Sequence, residues 1–269
     1  MMDYLYDKTW EGFLTCIHHH YYREPAHDIQ PSSTYQHSFT SQATQVETNP
    51  EMAEKVYHAI EKKFSGYDQI RLYRGFLSSD PDKEKILLDY LVLGFRKGSS
   101  IGMYHGHPVV ARFTKMEKKV SFEVHRLQGL VRFSQMTGDI LYAPITPDHD
   151  VTQLLAHHFC DRFSQENFIM HDTRRAKALV SSQGEYVITT FTPDDLPPLS
   201  QEEKQVRALW KTYFETIAIK QRTNRKCQRN FMPVRYWQHL TEITTPLEES
   251  PLEAWENSHP SSPLIPDSD

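Results

Sequence analysis

Cysteine is scarce in this chain, with only Cys16, Cys160 and Cys227 among 269 residues. They lie far apart and their number is odd, so no disulfide framework is implied, which suits a reducing compartment. No CxxC pair occurs, and three scattered thiols exclude a four-cysteine iron–sulfur site. Long apolar runs are missing as well, and no window approaches the length of a membrane-crossing helix. The first ten residues carry acids and aromatics where a secretory signal needs a basic start and an apolar run. The expectation is a soluble, cytoplasmic protein. An excess of positive charge is also absent: Lys and Arg number 30 against 35 Asp and Glu, a formal net charge of −5. Proteins that coat nucleic acid electrostatically are more basic than this, so any such surface must be a local patch. No Walker loop, GxGxxG, HExxH or GxSxG is present, which removes most of the prior for those cofactor and hydrolase classes.

What remains is a chain with 38% hydrophobic and 24% charged residues, long enough to bury a real core. Residues 3–7 read as a strand, and Trp10, Phe13, Leu14 and Ile17 then share a helical face. Residues 25–50 are rich in Ser, Thr, Gln and Pro and read as an exposed connection. Asn49 and Pro50 open a helix to about Phe64, with Met52, Val56, Ala59, Ile60 and Phe64 inward. Gly66 ends it, and 67–77 show no clear pattern. Asp80-Pro81 opens a very apolar helix that stops at Gly98, and a further helical period runs from Pro108 to about Leu127.

Alternation begins after Gly129. Two strands around a Thr137-Gly138 turn predict a β-hairpin. A helix over 151–163 follows, then strands at 168–172, 176–182 and 185–191, the last two joined at Gln183-Gly184. Residues 200–221 predict an amphipathic helix with Val206, Leu209, Trp210, Tyr213, Phe214 and Ile217 inward. A final short helix opens at Met232-Pro233. The acidic, proline-rich residues 245–269 are expected to be disordered. The sum is an α+β fold: a helical N-terminal half, an antiparallel-rich sheet carrying a packed helix, and a helical C-terminal segment. Residues 1–244 read as a single domain.

Histidine is abundant, with 15 copies, yet its clusters are weak signals. His18, His19 and His20 are adjacent on a helix, point in different directions and cannot all ligate one ion. His157 and Cys160 sit three apart, but two ligands leave a zinc site incomplete. No metal or cofactor is therefore assigned. Asp148 and His149 lie where a strand gives way to a helix, so an Asp there suits a helix cap. A carboxylate beside an imidazole also suits a general base. His171 and Asp172 end another strand. Together Asp148, His149, His171 and Asp172 form the candidate acid–base set. A PD-(D/E)xK nuclease fits poorly, because Pro147-Asp148 is followed by no acid-x-Lys on a nearby strand.

The basic stretch is more informative. Lys220, Arg222, Arg225, Lys226, Arg229 and Arg235 occur within sixteen residues that hold no Asp or Glu, and Tyr236 and Trp237 follow. Guanidinium groups fork onto phosphate oxygens and exposed aromatics stack on unpaired bases. Arg126, Arg132, Arg174 and Arg175 extend this candidate nucleic-acid-binding set, which includes Trp237.

YLYDKTWEGFL (4–14), HRLQGLVRF (125–133), LYAPITPDHDVTQLLAHHFCDRF (141–163), FIMHDTRRAKAL (168–179) and FMPVRYWQHL (231–240) together carry a resemblance. The chain resembles a bacterial family of DNA-metabolism (DNA-repair) proteins whose core is a domain of unknown function. The resemblance implies a partner: a radical SAM protein of DNA modification or repair, or a uracil-DNA-glycosylase-like protein to which relatives are fused. This chain shows neither glycosylase motifs nor a CxxxCxxC cluster motif. It is expected to bind DNA, or a damaged single-stranded site, as an accessory or processing factor. An enzyme acting on nucleic acid through the His/Asp set, glycosylase- or nuclease-like, is the alternative. A protein–protein adaptor is the second alternative.

Overall fold

A computed structural model describes residues 2–36 and 42–244. The expected disordered tail, 245–269, lies outside the described residues. Residues 1–244 are expected as a single domain, and their contacts gather into two compact units. Among the described residues, the first holds 2–36, 42–123 and 148–150, and the second holds 124–147 and 151–244. Each unit mixes helix and sheet, so the fold is α+β as expected.

The first unit opens on β1 (Met2–Tyr6) and α1 (Trp10–Tyr22). Asp7 shapes the corner between them. Its Oδ1 accepts the Thr9 N–H and hydroxyl, and the Thr9 hydroxyl in turn caps α1 by accepting the Gly12 N–H. That satisfies a donor the helix itself leaves open. β2 (Ala26–Pro31) and β3 (Gln42–Gln45) flank β1 in a parallel sheet ordered β2-β1-β3. This corrects the expected exposed connection over 25–50. β2 and β3 lie at the two edges of a small sheet, where only alternate positions need be apolar, so polar composition hid two strands.

Helix α2 (Pro50–Lys63) is capped by Asn49, whose Oδ1 accepts the Met52 N–H. The unassigned stretch after Gly66 is a helix, α3 (Gly66–Phe76), capped by Ser65. α4 (Lys83–Lys97) buries Ile86, Leu87, Leu88, Tyr90 and Leu91 and ends at Gly98, whose φ of 69° is open to glycine without strain. It begins three residues later than the Asp80 start read from the sequence. Gly94 lets α4 approach its neighbour: a Cβ there would collide with the Phe64 ring. α5 (Pro108–Leu130) buries Val110, Phe113, Met116, Val120 and Leu127.

Inside this unit runs an ion network that the sequence reading did not foresee. Arg71 donates to Asp68 Oδ1 at 3.0 Å and to the Thr114 hydroxyl at 2.7 Å, and its Nε lies 3.6 Å from Glu117. Tyr90 also donates to Asp68, and Arg71 stands over the Phe113 ring. Arg71, Asp68 and Glu117 are all buried. Charges removed from water in this way survive only by pairing.

The second unit centres on a five-stranded sheet ordered β4-β5-β6-β7-β8. β4 (Ser134–Met136) and β5 (Ile140–Ile145) form the expected hairpin, with Gly138 at a φ of 86° in its turn. β5 pairs parallel with β6 (Asn167–Asp172), and α6 (Thr152–Arg162) is the connection a parallel pair requires. β7 (Lys177–Ser182) and β8 (Glu185–Thr190) complete the sheet antiparallel. Phe133, Phe159, Phe163 and Phe168 pack as one aromatic cluster beneath α6.

α7 (Gln201–Ile217) is present, but its apolar face is not buried. Leu209 is 59% exposed, Tyr213 55% and Val206 57%, and no residue of the helix is buried. The sequence reading placed these side chains inward. Periodicity shows that an apolar face exists and not that something covers it. Beyond α7 come α8 (Arg225–Phe231), a 3-10 turn over Val234–His239 after Pro233, and α9 (Thr241–Thr244). Among the described residues, no helix is long and apolar enough to cross a membrane.

Candidate functional site

The four candidate acid–base residues divide between the units: Asp148 and His149 belong to the first, His171 and Asp172 to the second. In the first unit the segment 148–150 is pinned. The buried Glu123 carboxylate accepts the backbone N–H of Asp148 at 2.9 Å and of His149 at 2.7 Å. The Asp150 N–H donates to the Leu77 carbonyl. His149 is buried, and its Nδ1 accepts the Ser79 backbone N–H at 3.0 Å, with the Ser79 hydroxyl at the same distance. An Nδ1 that accepts a backbone N–H carries no proton of its own, so the ring is held as the Nε2–H tautomer. The N-cap position of α6 is Val151, not Asp148 or Asp150. That helix is entered from Val151 without a side-chain cap.

At the end of β6, Asp172 is fully buried. Its Oδ1 accepts the N–H groups of Arg174 and Arg175, and its Oδ2 takes the Arg175 guanidinium at 2.8 Å. Arg175 also donates to the Pro147 carbonyl. This is the geometry of a carboxylate closing a tight turn, here the one joining β6 to β7 through Ala176 at a φ of 49°. His171 is buried beside it, with Nδ1 2.9 Å from the Tyr142 hydroxyl and its ring against Phe191. Burial pushes the imidazole pKa down, opposed by the nearby Asp172 charge. A general base must reach a substrate proton. The geometry of His149, His171 and Asp172 is instead that of groups holding turns and strand ends in place.

The other histidines separate as their helical positions dictate. His19 is buried edge-on to Tyr4, His20 accepts the Ala26 N–H, and His18 stacks on Tyr22. His157 faces solvent and pairs with Asp161, whereas Cys160 is buried beside Ser181. Among the described residues, no group of three or more His, Cys, Asp or Glu is arranged to hold a metal ion.

All nine candidate nucleic-acid contacts lie in the second unit. The structure sorts them by what each guanidinium already touches. Arg132 pairs with Glu242 at 2.9 Å and lies over the Trp210 ring, and Glu242 also accepts the Trp210 indole N–H. Arg132 and its hydrogen bonds hold the Glu242 carboxyl below its usual range against burial. Arg175 is committed to Asp172. Arg126 donates to the Asn230 carbonyl at 3.3 Å and so ties the end of α5 to α8. Trp237 is half-buried, with its indole N–H on the Met232 carbonyl, and Tyr236 is buried. The buried Tyr236 ring is closed to stacking.

Arg174, Arg222, Arg225, Arg229 and Arg235 are exposed. Arg225 and Arg229 are four apart on α8 and share a face. Arg235 stands over the Tyr236 ring and donates to its hydroxyl. Arg222, Arg225 and Arg229 form no ion pair with any described residue. Phe231, at the end of α8, is 75% exposed. Phe231 is not among the contacts expected from the sequence, although an aromatic next to an acid-free, arginine-rich stretch was the available signal.

Neither a curated protein nor a solved structure matches the chain. A family model described as a domain of unknown function, DUF4130, matches residues 81–242, more than half of the chain. That span takes in both the pinned segment 148–150 and the arginine-rich segment after α7. The chain therefore belongs to the DUF4130 family.

Proposed function

We infer that the protein is a DNA-binding accessory factor of DNA metabolism, with Arg222, Arg225, Arg229 and Arg235 as its phosphate contacts and Phe231 as its stacking surface. The observation that carries this reading is the segment 220–235. It holds six basic and no acidic residues in a chain of net charge −5, and three of its arginines are exposed without an ion pair to any described residue. Guanidinium groups left in solvent without carboxylates are available to bind phosphate oxygens in forked pairs. Exposed aromatic rings stack on unpaired bases with little regard to sequence. A radical SAM protein or a uracil-DNA-glycosylase-like protein is the partner implied by the resemblance described above. The acid–base reading has less support, because three of its four residues are buried with atoms already engaged.

The test is fluorescence anisotropy with labelled single- and double-stranded DNA across a salt series from 25 to 200 mM. Affinity is expected to fall steeply with salt, since each phosphate neutralised releases condensed counterions. The Arg222→Ala/Arg225→Ala/Arg229→Ala variant is expected to bind at least tenfold more weakly. Its log–log salt slope should be shallower by about 2 on single-stranded and about 3 on double-stranded DNA, as three lost contacts require. An absence of binding at the lowest salt overturns the reading. Turnover of a lesion-bearing strand that His171→Ala abolishes would favour the enzyme instead.

A further inference from the structure

In the first unit a pocket of about 380 Å³ opens between α1, α2 and α4. Its volume falls within the range of small-molecule sites. Ile17 and Val56, both buried, form its floor, and Tyr21, Tyr22 and Phe95 supply aromatic walls. Tyr21 meets the Phe95 ring edge-on at 5.6 Å, which fixes one wall. His18 and Tyr22 lie one helical turn apart on α1 and stack at 4.5 Å with 25° between their planes. A third flat ring can extend that stack.

The rim is positive. Lys55, Ala59 and Lys63 lie at i, i+4 and i+8 on α2, so two ammonium groups flank one small residue along a single face. No Asp or Glu lines the pocket, and neither lysine forms an ion pair with any described residue. His18 adds a buried Nδ1 with no hydrogen-bond partner among the described residues. Lys55 and Arg23 join burial in holding the His18 imidazole pKa down. The fixed positive charge therefore sits on the two lysines. A buried nitrogen without a partner is costly and uncommon.

We propose that this pocket binds a small organic anion with a flat aromatic body. The body lies on the His18–Tyr22 stack against Ile17, Val56 and Phe95, and the acidic group meets Lys55 and Lys63. Apolar walls supply most of the affinity, and two convergent cations select for negative charge. The site is separate from the arginine segment of the second unit and does not depend on the DNA-binding reading.

Two fluorescent probes of similar shape test this on the full chain. 8-Anilinonaphthalene-1-sulfonate carries the anionic group, and N-phenyl-1-naphthylamine lacks it. The sulfonate is expected to bind at one site per chain and more tightly than the neutral amine. In Lys55→Gln/Lys63→Gln, sulfonate affinity should fall at least tenfold while that of the amine is unchanged. Ala59→Trp, which fills the mouth between the lysines, should abolish both. Far-UV circular dichroism establishes that each variant is folded. Equal affinity for the two probes, sulfonate binding unaltered by loss of the lysines, or binding that survives Ala59→Trp each overturns the proposal.

Discussion

Helices α4 and α7 look alike on paper. Each carries large apolar residues at helical spacing and acidic residues in its first turn. In the folded chain they part company. α4 buries Ile86, Leu87, Leu88, Tyr90 and Leu91, whereas α7 buries none of its residues. The arginines divide in the same way. Arg71 lies buried between Asp68 and Glu117, whereas Arg222, Arg225 and Arg229 stand in solvent without such partners. A hydrophobic stripe or a guanidinium is thus a capacity for contact, and its energetic weight depends on whether another surface arrives to use it. Buried, these groups hold the first unit together. Exposed, in the second unit, they are what a ligand would meet.

The contrast can be attacked most directly at Arg71. Arg71→Ala leaves Asp68 buried without its cation and Glu117 with Arg74 alone, and about 3–5 kcal/mol of stability should be lost, read from urea unfolding. A loss below 1 kcal/mol would mean that the network is solvated and the contrast in charge is false. Leu91→Ala in α4 should cost about 2–5 kcal/mol by opening a cavity. His149→Ala removes the acceptor of the part-buried Ser79 N–H bond, and a loss of about 0.5–1.5 kcal/mol is expected. DNA affinity unchanged in that variant would place His149 in the framework alone.

A pH series sharpens the view of His171. Burial lowers its pKa below the ordinary value of about 6.5, so the unfolded chain takes up a proton that the folded chain resists. Its contribution to stability is complete above about pH 6.5 and is lost as pH falls through the folded value. Unfolding free energies between pH 7.5 and 5 should therefore decline less steeply in His171→Gln than in the parent chain. His18, His19, His20 and His239 are shifted in the same direction and remain in both proteins, so only the difference reports on His171. The smallest effect belongs to α7: Leu209→Ala should change stability by less than about 0.5 kcal/mol. A loss as large as that at Leu91 would show that the exposed face is covered in solution and would erase the comparison from which these predictions start.

Much of the fold was legible because its signals are local. Asn49-Pro50 starts a helix wherever it precedes apolar periodicity, and Gly138 supplies a positive φ that the hairpin turn needs whatever surrounds it. β2 and β3 were not legible, because edge strands in a small sheet are defined by the backbone of β1 and not by their own composition. The candidate site was read as residue types in a row. Asp172 did prove to sit at a strand end, but its carboxylate closes the turn and holds Arg175, a use invisible without knowing which way each side chain points.

Sequence by itself determined most of the helices, the hairpin with the strands after it, and the acid-free arginine segment at 220–235, since backbone propensity and charge density act over a few residues. Tertiary structure alone decided which apolar faces are covered and which arginines are neutralised. It alone brings Lys55 and Lys63 of α2 into one pocket with His18 and Tyr22 of α1. Burial and pairing depend on groups distant in the chain, and no local pattern records where those groups come to lie.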